Sequence, residues 1–183
     1  MLPAIATAQS GLRPSGTGFS IAGALSVHHS NATGSGLDGT SSKPSGEVEV
    51  AYGATPRIAL LGAFRPVLAS AGTQNYTVNS VEFGLRYLGK AGMQLRPFAE
   101  GGLGIRSLRY ELTETYTSSN VGPWASIGAM RLGSGHWSFE AAATWKQGRF
   151  DNWKRNSQAI IAEATTWSAV GGRIGARYWV RAR

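Results

Sequence analysis

Apolar and polar residues alternate along most of the chain with a period of two, which is the repeat of a β-strand and not of a helix. The first alternating stretch places Phe19, Ile21, Gly23, Leu25 and Val27 on one face and Ser20, Ala22, Ala24, Ser26 and His28 on the other. Seven more stretches follow, and only residues 122–132, GPWASIGAMRL, leave the choice of inward face open. The pattern predicts eight strands of about ten residues each, the length that a tilted strand needs to cross a bilayer.

The connections between these stretches alternate in length. Long polar segments follow the first, third, fifth and seventh stretches, at residues 30–46, 66–77, 107–120 and 147–165. Short turns follow the second, fourth and sixth, with the sequences TPR, GKAG and GSGH. Short turns at one end and long loops at the other are typical of outer-membrane barrels.

Charged residues fall on the polar face, in the middle of the predicted strands. They are Glu47, Glu49, Glu82, Glu100 and Glu140, with Arg65, Arg86, Arg106, Lys146, Arg173 and Arg177. Gly and Ala lie between them, as a narrow interior requires, because the lumen of an eight-stranded barrel is only wide enough for side chains to fill it. We therefore predict a lumenal network of Glu–Arg pairs, since an unpaired charge there is costly to desolvate.

Aromatic residues on the apolar face fall near the strand ends. Phe19, Tyr52, Tyr87, Trp137 and Tyr178 lie toward the short turns, and Phe64 and Trp145 lie toward the long loops. Two aromatic girdles of this kind mark the membrane interfaces of a transmembrane barrel.

Composition narrows the possibilities further. A chain of 183 residues with 15% charged residues, 25 glycines and no cysteine fits one β domain and excludes disulfides and Cys-ligated metal sites. The net charge of +8 comes from scattered Lys and Arg residues, which argues against nucleic-acid binding. The sequence contains no run of about 18 apolar residues, so it predicts no transmembrane helix. Ala6-Thr7-Ala8 resembles a signal-peptidase site, so we interpret residues 1–16 as a residual export signal and residues 17–183 as the barrel.

Three stretches resemble a known family. RPFAEGGLGIRS (96–107) and EFGLRYL (82–88) are similar to the R-P-aromatic-x-x-x-G-x-G and G-x-R-Y strands of small OmpA/OmpX-like outer-membrane β-barrel proteins. The end RIGARYWV (173–180) is similar to their barrel-assembly signal, although RAR follows Val180 where the family usually stops at an aromatic residue. The resemblance covers residues 17–181. It implies a cell outer membrane location and recognition of Gly175, Tyr178 and Val180 by the barrel-assembly machinery.

The sequence HHSN at residues 28–31 matches the H-x-S-N pattern of outer-membrane lipid A deacylases, which are eight-stranded barrels with a Ser-His-Glu site. In that chemistry His28 takes the proton of Ser30, and Glu47 or Glu49 holds the imidazole in place. The motif, however, ends the first strand instead of lying late in the chain. The alternation also points His28 inward, and a long insertion separates Ser30 from any Glu. The other interpretation is a lumenal histidine followed by a solvated loop.

We therefore expect a monomeric, all-β, eight-stranded antiparallel up-and-down transmembrane β-barrel without enzymatic activity, cofactor or metal. His136 lies in a turn, so the three histidines cannot form a metal site. The expected role is structural or surface-exposed, with external partners or lipopolysaccharide phosphates contacting the loop residues Lys43, Arg109, Arg149, Lys154 and Arg155. The alternatives are the hydrolase and a narrow pore or lipocalin-like carrier, the carrier requiring the apolar face to be inside.

Overall fold

The computed structural model describes residues 16–34, 37, 39–71, 74–91, 93–111, 113–133 and 135–180. Three parts of the sequence discussed above lie outside these ranges: residues 1–15 of the proposed export signal, Asp38, and residues 181–183. None of the described residues belongs to a helix long and apolar enough to cross a membrane.

The wall is a closed ring of eight antiparallel strands, as the alternation predicted. The elements are β1 (Gly18–Thr33), β2 (Gly39–Gly53), β3 (Ile58–Phe64), β4 (Val67–Ala71), β5 (Gln74–Leu88), β6 (Leu95–Glu111), β7 (Thr115–Leu132), β8 (Trp137–Phe150), β9 (Lys154–Arg155), β10 (Gln158–Ala159) and β11 (Thr165–Trp179). β3 and β4 together occupy the third position in the wall, and β9 and β10 form a small hairpin in the last long loop. Pairing of β1 with β11 closes the ring.

The predicted strand length of about ten residues is wrong. The uninterrupted wall strands run from 14 residues in β8 to 18 in β7. Most of the extra length comes from segments that we expected to be loops, because β1 continues to Thr33, β6 continues to Glu111 and β7 begins at Thr115. Ser, Thr and Asn residues continue to pair there with a neighbouring strand, so the barrel wall extends beyond its apolar part.

The outer surface of the wall is apolar at mid-height. Large side chains point away from the barrel and are exposed, for example Leu25 at 68%, Ile127 at 67% and Ile174 at 66%. Toward the long loops the outward positions become polar, with His29, Asn31, Ser107 and Gln147. An apolar band of this kind is stable only in contact with lipid. The arrangement is the reverse of a lipocalin-like carrier, whose apolar face would line the interior.

The aromatic residues expected at the turn end lie outward in the wall. Phe19 packs on Tyr52 with ring centroids 4.9 Å apart, and Trp137 packs on Tyr178 at 5.2 Å. The structure also settles the phase of β7, which the sequence left open. Trp124 and Met130 are buried in the lumen, and Ile127 points outward.

Two gaps in the pairing divide the loop-end half of the wall. The β2–β3 ladder ends at Val48 and Phe64, and β4 pairs with β5 but not with the facing part of β2. The β7–β8 ladder ends at Trp124 and Lys146. We call these the β2/β4 seam (39–47 facing 67–71) and the β7/β8 seam (115–123 facing 147–150). They divide this half into one panel of β4, β5, β6, β7 and β9 and a second of β8, β11, β1 and β2.

Prolines lie at both seams, and side chains bridge them. Pro44 and Pro66 lie beside the first seam and Pro123 beside the second, and proline has no N–H to give to a ladder. Across the first seam Ser41 Oγ lies 3.2 Å from Ser70 Oγ, and Lys43 Nζ donates to Asn75 Oδ1 at 2.6 Å.

Arg106 bridges the β7/β8 seam and makes no ion pair among the described residues. Its guanidinium donates to the carbonyl of Gln147 at 2.5 Å and to the carbonyl of Pro123 at 2.9 Å, one from each strand. Higher up, Asn120 Nδ2 donates to the carbonyl of Arg149 at 3.1 Å. Arg106 was expected in the lumenal charge network. It is buried in the lumen and Glu82 attracts it electrostatically, but its hydrogen bonds go to carbonyls and not to a carboxylate. It satisfies carbonyls that the ladder leaves free after Pro123.

We predict that Arg106→Met lowers the free energy of unfolding by about 2–5 kcal/mol, because two buried carbonyls lose a charged donor. Urea unfolding of the protein refolded in micelles measures this. The matched control is Arg109→Met, which removes a cation from the same strand at an exposed pair with Glu111 and should cost less than about 1 kcal/mol. Equal stability of the two variants would contradict the bridging role of Arg106.

Candidate functional site in the lumen

Glu49 is the centre of a buried ion-pair network at mid-height in the lumen. Its carboxylate contacts the guanidinium groups of four arginines, with Arg86 at 2.9 Å, Arg173 at 3.2 Å, and Arg65 and Arg177 in closer contact. All five side chains are at most 3% exposed. Such charges are tolerated away from water only when every one of them is paired and hydrogen-bonded.

The other carboxylates extend the network around the lumen. Glu140 lies 3.2 Å from both Arg86 and Arg177. Glu100 accepts a hydrogen bond from Arg173 at 2.8 Å and also pairs with Arg86. Arg65 directly follows β3, the other bases come from β5 and β11, and the acids come from β2, β6 and β8, so the network ties strands on opposite sides of the barrel together.

Glu82 connects this network to Lys146. Its carboxylate lies 3.0 Å from Lys146 Nζ and 2.9 Å from Arg65 Nη1. Ser80 donates a further hydrogen bond to it at 2.9 Å. Lys146 is fully buried, and of all the lumenal cations it lies nearest the place where the β7–β8 ladder ends.

Glu47 is held more loosely than the other acids. Its closest cation is Arg65, with Nε at 3.5 Å, followed by Arg173, with Nη1 at 3.9 Å, and the imidazole Nε2 of His28 also lies at 3.9 Å. Neither carboxylate oxygen has a hydrogen-bond partner among the described residues. The network is therefore tightest around Glu49 and loosest on its loop side.

Glycines make room for the large groups in this layer. A Cβ on Gly84 would collide with the carbonyl of Gly101 and lie 2.8 Å from the indole of Trp124. Trp124 itself occupies this space, and the guanidinium carbon of Arg65 lies over its ring, 4.7 Å from the centroid. A cation placed over an indole is stabilised by the electrons of the ring. Small residues, an aromatic ring and paired charges thus fill the lumen at this height.

The HHSN residues do not assemble into a catalytic site. His28 Nε2 shares a hydrogen bond of 3.0 Å with Thr144 Oγ1, and His29 points outward and contacts Ser42 Oγ at 3.0 Å. Ser30 is buried in the lumen, 3.3 Å from the hydroxyl of Tyr76 and 3.4 Å from the carbonyl of Ser41. A nucleophile needs its base within hydrogen-bond reach. The base and the nucleophile instead bond to other groups, and both face away from lipid.

Above the charge network, the interior between the two panels is an apolar core that sequence reasoning missed. Its buried members are Ala32, Leu37, Val67, Ala69, Tyr76, Val78, Leu108, Tyr110, Phe150, Trp153, Trp167 and Ala169. Tyr110 stacks on Tyr116 with centroids 4.9 Å apart and meets the edge of Trp153 at 5.6 Å. Burial raises the pKa of the Tyr110 and Tyr76 hydroxyls, so both stay protonated. The inward parity of these residues, continued past the predicted strand ends, was the signal that could have revealed this core.

A second apolar cluster closes the turn end. Leu88, Phe98, Met130, Leu132 and Trp179 pack together there, and Trp179 Nε1 donates to Ser138 Oγ at 3.0 Å. Arg96 extends beneath them and donates to the carbonyls of Gly89 at 3.0 Å and of Pro56, tying two short turns together. Side chains therefore fill the lumen from one end to the other.

The residues of the expected assembly signal lie where β11 meets β1. Tyr178 and Val180 point outward, and the Val180 N–H donates to the carbonyl of Phe19 at 3.0 Å. A Cβ on Gly175 would approach the carbonyl of Gly23 to 2.6 Å, so glycine permits the close strand contact. Recognition by the assembly machinery stays a prediction.

Among the described residues no group of three or more His, Asp or Glu side chains could hold a metal ion.

Comparison with known proteins gives similarity of fold alone. No protein-family model and no curated protein sequence matches the chain. Solved structures do match. Neisserial surface protein A has a TM-score of 0.63 at 15% identity, covering 88% of this chain and 97% of that one.

Two further structures are similar over nearly their whole length. OprG of Pseudomonas aeruginosa has a TM-score of 0.58 at 12% identity, covering 91% of this chain and 100% of that one. The outer membrane protein AlkL, determined in lipid bilayers, has a TM-score of 0.58 at 10% identity, with 88% and 90% covered. The predicted resemblance to small outer-membrane β-barrel proteins is thus confirmed for the fold, and it supports the outer-membrane location.

Proposed function

We propose that this protein is a non-enzymatic outer-membrane barrel with a structural, surface-exposed role. The observation that carries the proposal is the continuous filling of the lumen, with an apolar core at each end and the Glu49 network between them. A filled barrel is a rigid support in the bilayer and has no obvious path for a solute. The functional surface is then the part of the wall and loops that extends beyond the apolar band.

Two exposed cations at the loop end are suited to lipopolysaccharide phosphates. Among the loop bases, Arg109 hydrogen-bonds to Glu111 at 2.5 Å and Arg155 lies 3.3 Å from Glu114. Lys43 donates to Asn75 across the β2/β4 seam. Arg149 and Lys154 are exposed, and no ion pair engages either of them among the described residues. Since Arg and Lys bind phosphate well, these two are the proposed contacts.

We predict that the double charge reversal Arg149→Glu and Lys154→Glu lowers the amount of lipopolysaccharide that co-purifies with the protein, because two attractive contacts with phosphate become repulsive. The phosphate content of matched preparations measures this. Arg57→Glu, at the opposite end, is the control and should retain the wild-type amount. Unchanged lipopolysaccharide in the double variant would refute these contacts.

We predict that the protein shows no discrete conductance steps in planar bilayers, because side chains fill the lumen of an eight-stranded barrel. A 16-stranded porin in the same bilayer serves as the positive control, since it encloses an aqueous channel. Large, regular steps from the purified protein would instead support the pore alternative.

We also predict that lipid A incubated with the protein releases no fatty acid, and that Ser30→Ala behaves as the wild type does. Ser30 lies in the lumen and bonds to Tyr76, so it neither meets lipid nor contacts a base. Mass spectrometry of lipid A after incubation measures this. Release that depends on Ser30 would establish the hydrolase.

A further inference from the structure

The net positive charge of the described residues is concentrated at the turn end. Among these residues the loop end has five basic and four acidic ones, and the lumen has six basic and five acidic ones. The described part of the turn end has four basic residues, Arg57, Lys90, Arg96 and Arg131, and no acidic one.

Arg131 is the turn-end cation that lies on the lipid-facing wall. It is the residue before the end of β7, is exposed, and pairs in register with Leu95 of β6 and Phe139 of β8, which point outward as well. The next outward residue of β8 toward the turn is Trp137, a member of the aromatic girdle. Girdle residues lie at the level of the lipid headgroups. The guanidinium is therefore placed beside the headgroups of the turn-side leaflet.

A shallow groove of about 1050 Å³ begins at Arg131 and continues up the apolar wall. Its floor is made by outward residues with little or no side chain, Gly23, Ala129 and Ala141. Leu95, Phe139 and Ile174 are among the large residues that border it. Neighbouring strands bring the floor together, since Ala129 pairs with Ala141 across β7 and β8. A long apolar chain lying along this floor would contact the wall more closely than a chain elsewhere on the apolar band.

We propose that this groove binds an anionic phospholipid, with the headgroup phosphate on Arg131 and an acyl chain along the small-residue floor. Arginine presents a planar pair of N–H donors that matches a phosphate. Arg57 and Lys90 add long-range attraction at the same end, because basic clusters at a membrane surface collect anionic lipid. The short turns of outer-membrane barrels face the periplasm, so the groove lies in the periplasmic leaflet, whereas the long loops contact the outer leaflet.

A second copy of this chain is a poorer occupant of the groove. The described part of the turn end offers no acidic residue that could pair with the Arg131 of a second copy, so a dimer through this face would bring like charges together. The site is also independent of the role proposed for the loop end. Loss of lipopolysaccharide contacts at Arg149 and Lys154 would leave it unchanged.

The test uses the full chain refolded in micelles and titrated with phosphatidylglycerol or with phosphatidylcholine of the same acyl chains. Native mass spectrometry counts the lipids that each barrel retains. We expect one phosphatidylglycerol to be retained in preference to phosphatidylcholine. Arg131→Gln should lower this retention about fivefold, which is the effect of one lost cation near a membrane surface. Arg149→Gln, the matched change at the loop end, should leave it unaltered.

A second variant separates the groove from the charge. Ala129→Leu with Ala141→Leu keeps Arg131 and fills the floor with residues that lipid tolerates, so the barrel still folds while the retained lipid is lost. Loss of retention in both variants supports the site. Retention that responds to Arg57→Gln and Lys90→Gln but not to Arg131→Gln would show diffuse attraction and overturn it. So would a protein of doubled mass that the groove variant converts to a monomer.

Discussion

The pairing of buried charges around Glu49 is the constraint on which the rest of the barrel depends. Four arginines meet one carboxylate in a space with almost no access to water, and four further acids share the excess positive charge. Removing any one of these groups would leave an uncompensated charge in the lumen, which typically costs several kcal/mol. The residues around them must therefore be small or flat, as Gly84 and Trp124 are. The lipid-facing positions are free of this restriction, and they need only be apolar.

The second constraint is that every backbone polar group within lipid needs a partner. A closed ladder normally supplies one, and this wall departs from it where prolines interrupt two strands. Different bridges are used at the two seams. The Arg106 guanidinium joins β7 to β8 through two carbonyls, whereas at the β2/β4 seam Ser41 contacts Ser70 and the Lys43 ammonium donates to Asn75 of β5. Each seam thus has a charged donor, and such donors make stronger hydrogen bonds than neutral ones.

Alternation alone was enough to predict the strand number, the closed barrel and the inward position of residues such as Glu49 and Arg173. It worked because the wall has one apolar and one polar face, and a shift of one residue would exchange them. Alternation failed for β7, where Pro123, Ala125 and Ala129 occupy outward positions and Gly122 and Gly128 inward ones, which hides the contrast between the faces. It also failed for strand length, because the polar outer surface above the lipid looks like a loop in the sequence.

The role of single lumenal residues was harder to predict. Arg106 has the same parity as the network arginines, yet its partners are carbonyls that became free because Pro123 interrupts a ladder on another strand. Neither the partner nor the gap is visible from the spacing around Arg106. Likewise, HHSN places a histidine and a serine two residues apart on one face, but a strand separates such side chains along its length. His28 then bonds to Thr144 of β8 and Ser30 to Tyr76 of β5.

The junction of the first and last strands is continuous over the full height of the wall, from Ser20 and Trp179 to Thr33 and Thr166. The seams lie elsewhere, and both are in the loop-end half of the wall. Thermal opening of the barrel would therefore start between the panels and not at the chain ends. The loop-end half could separate by a few ångströms and expose aromatic side chains to water, while the turn-end half remains an intact, electrically insulating cylinder.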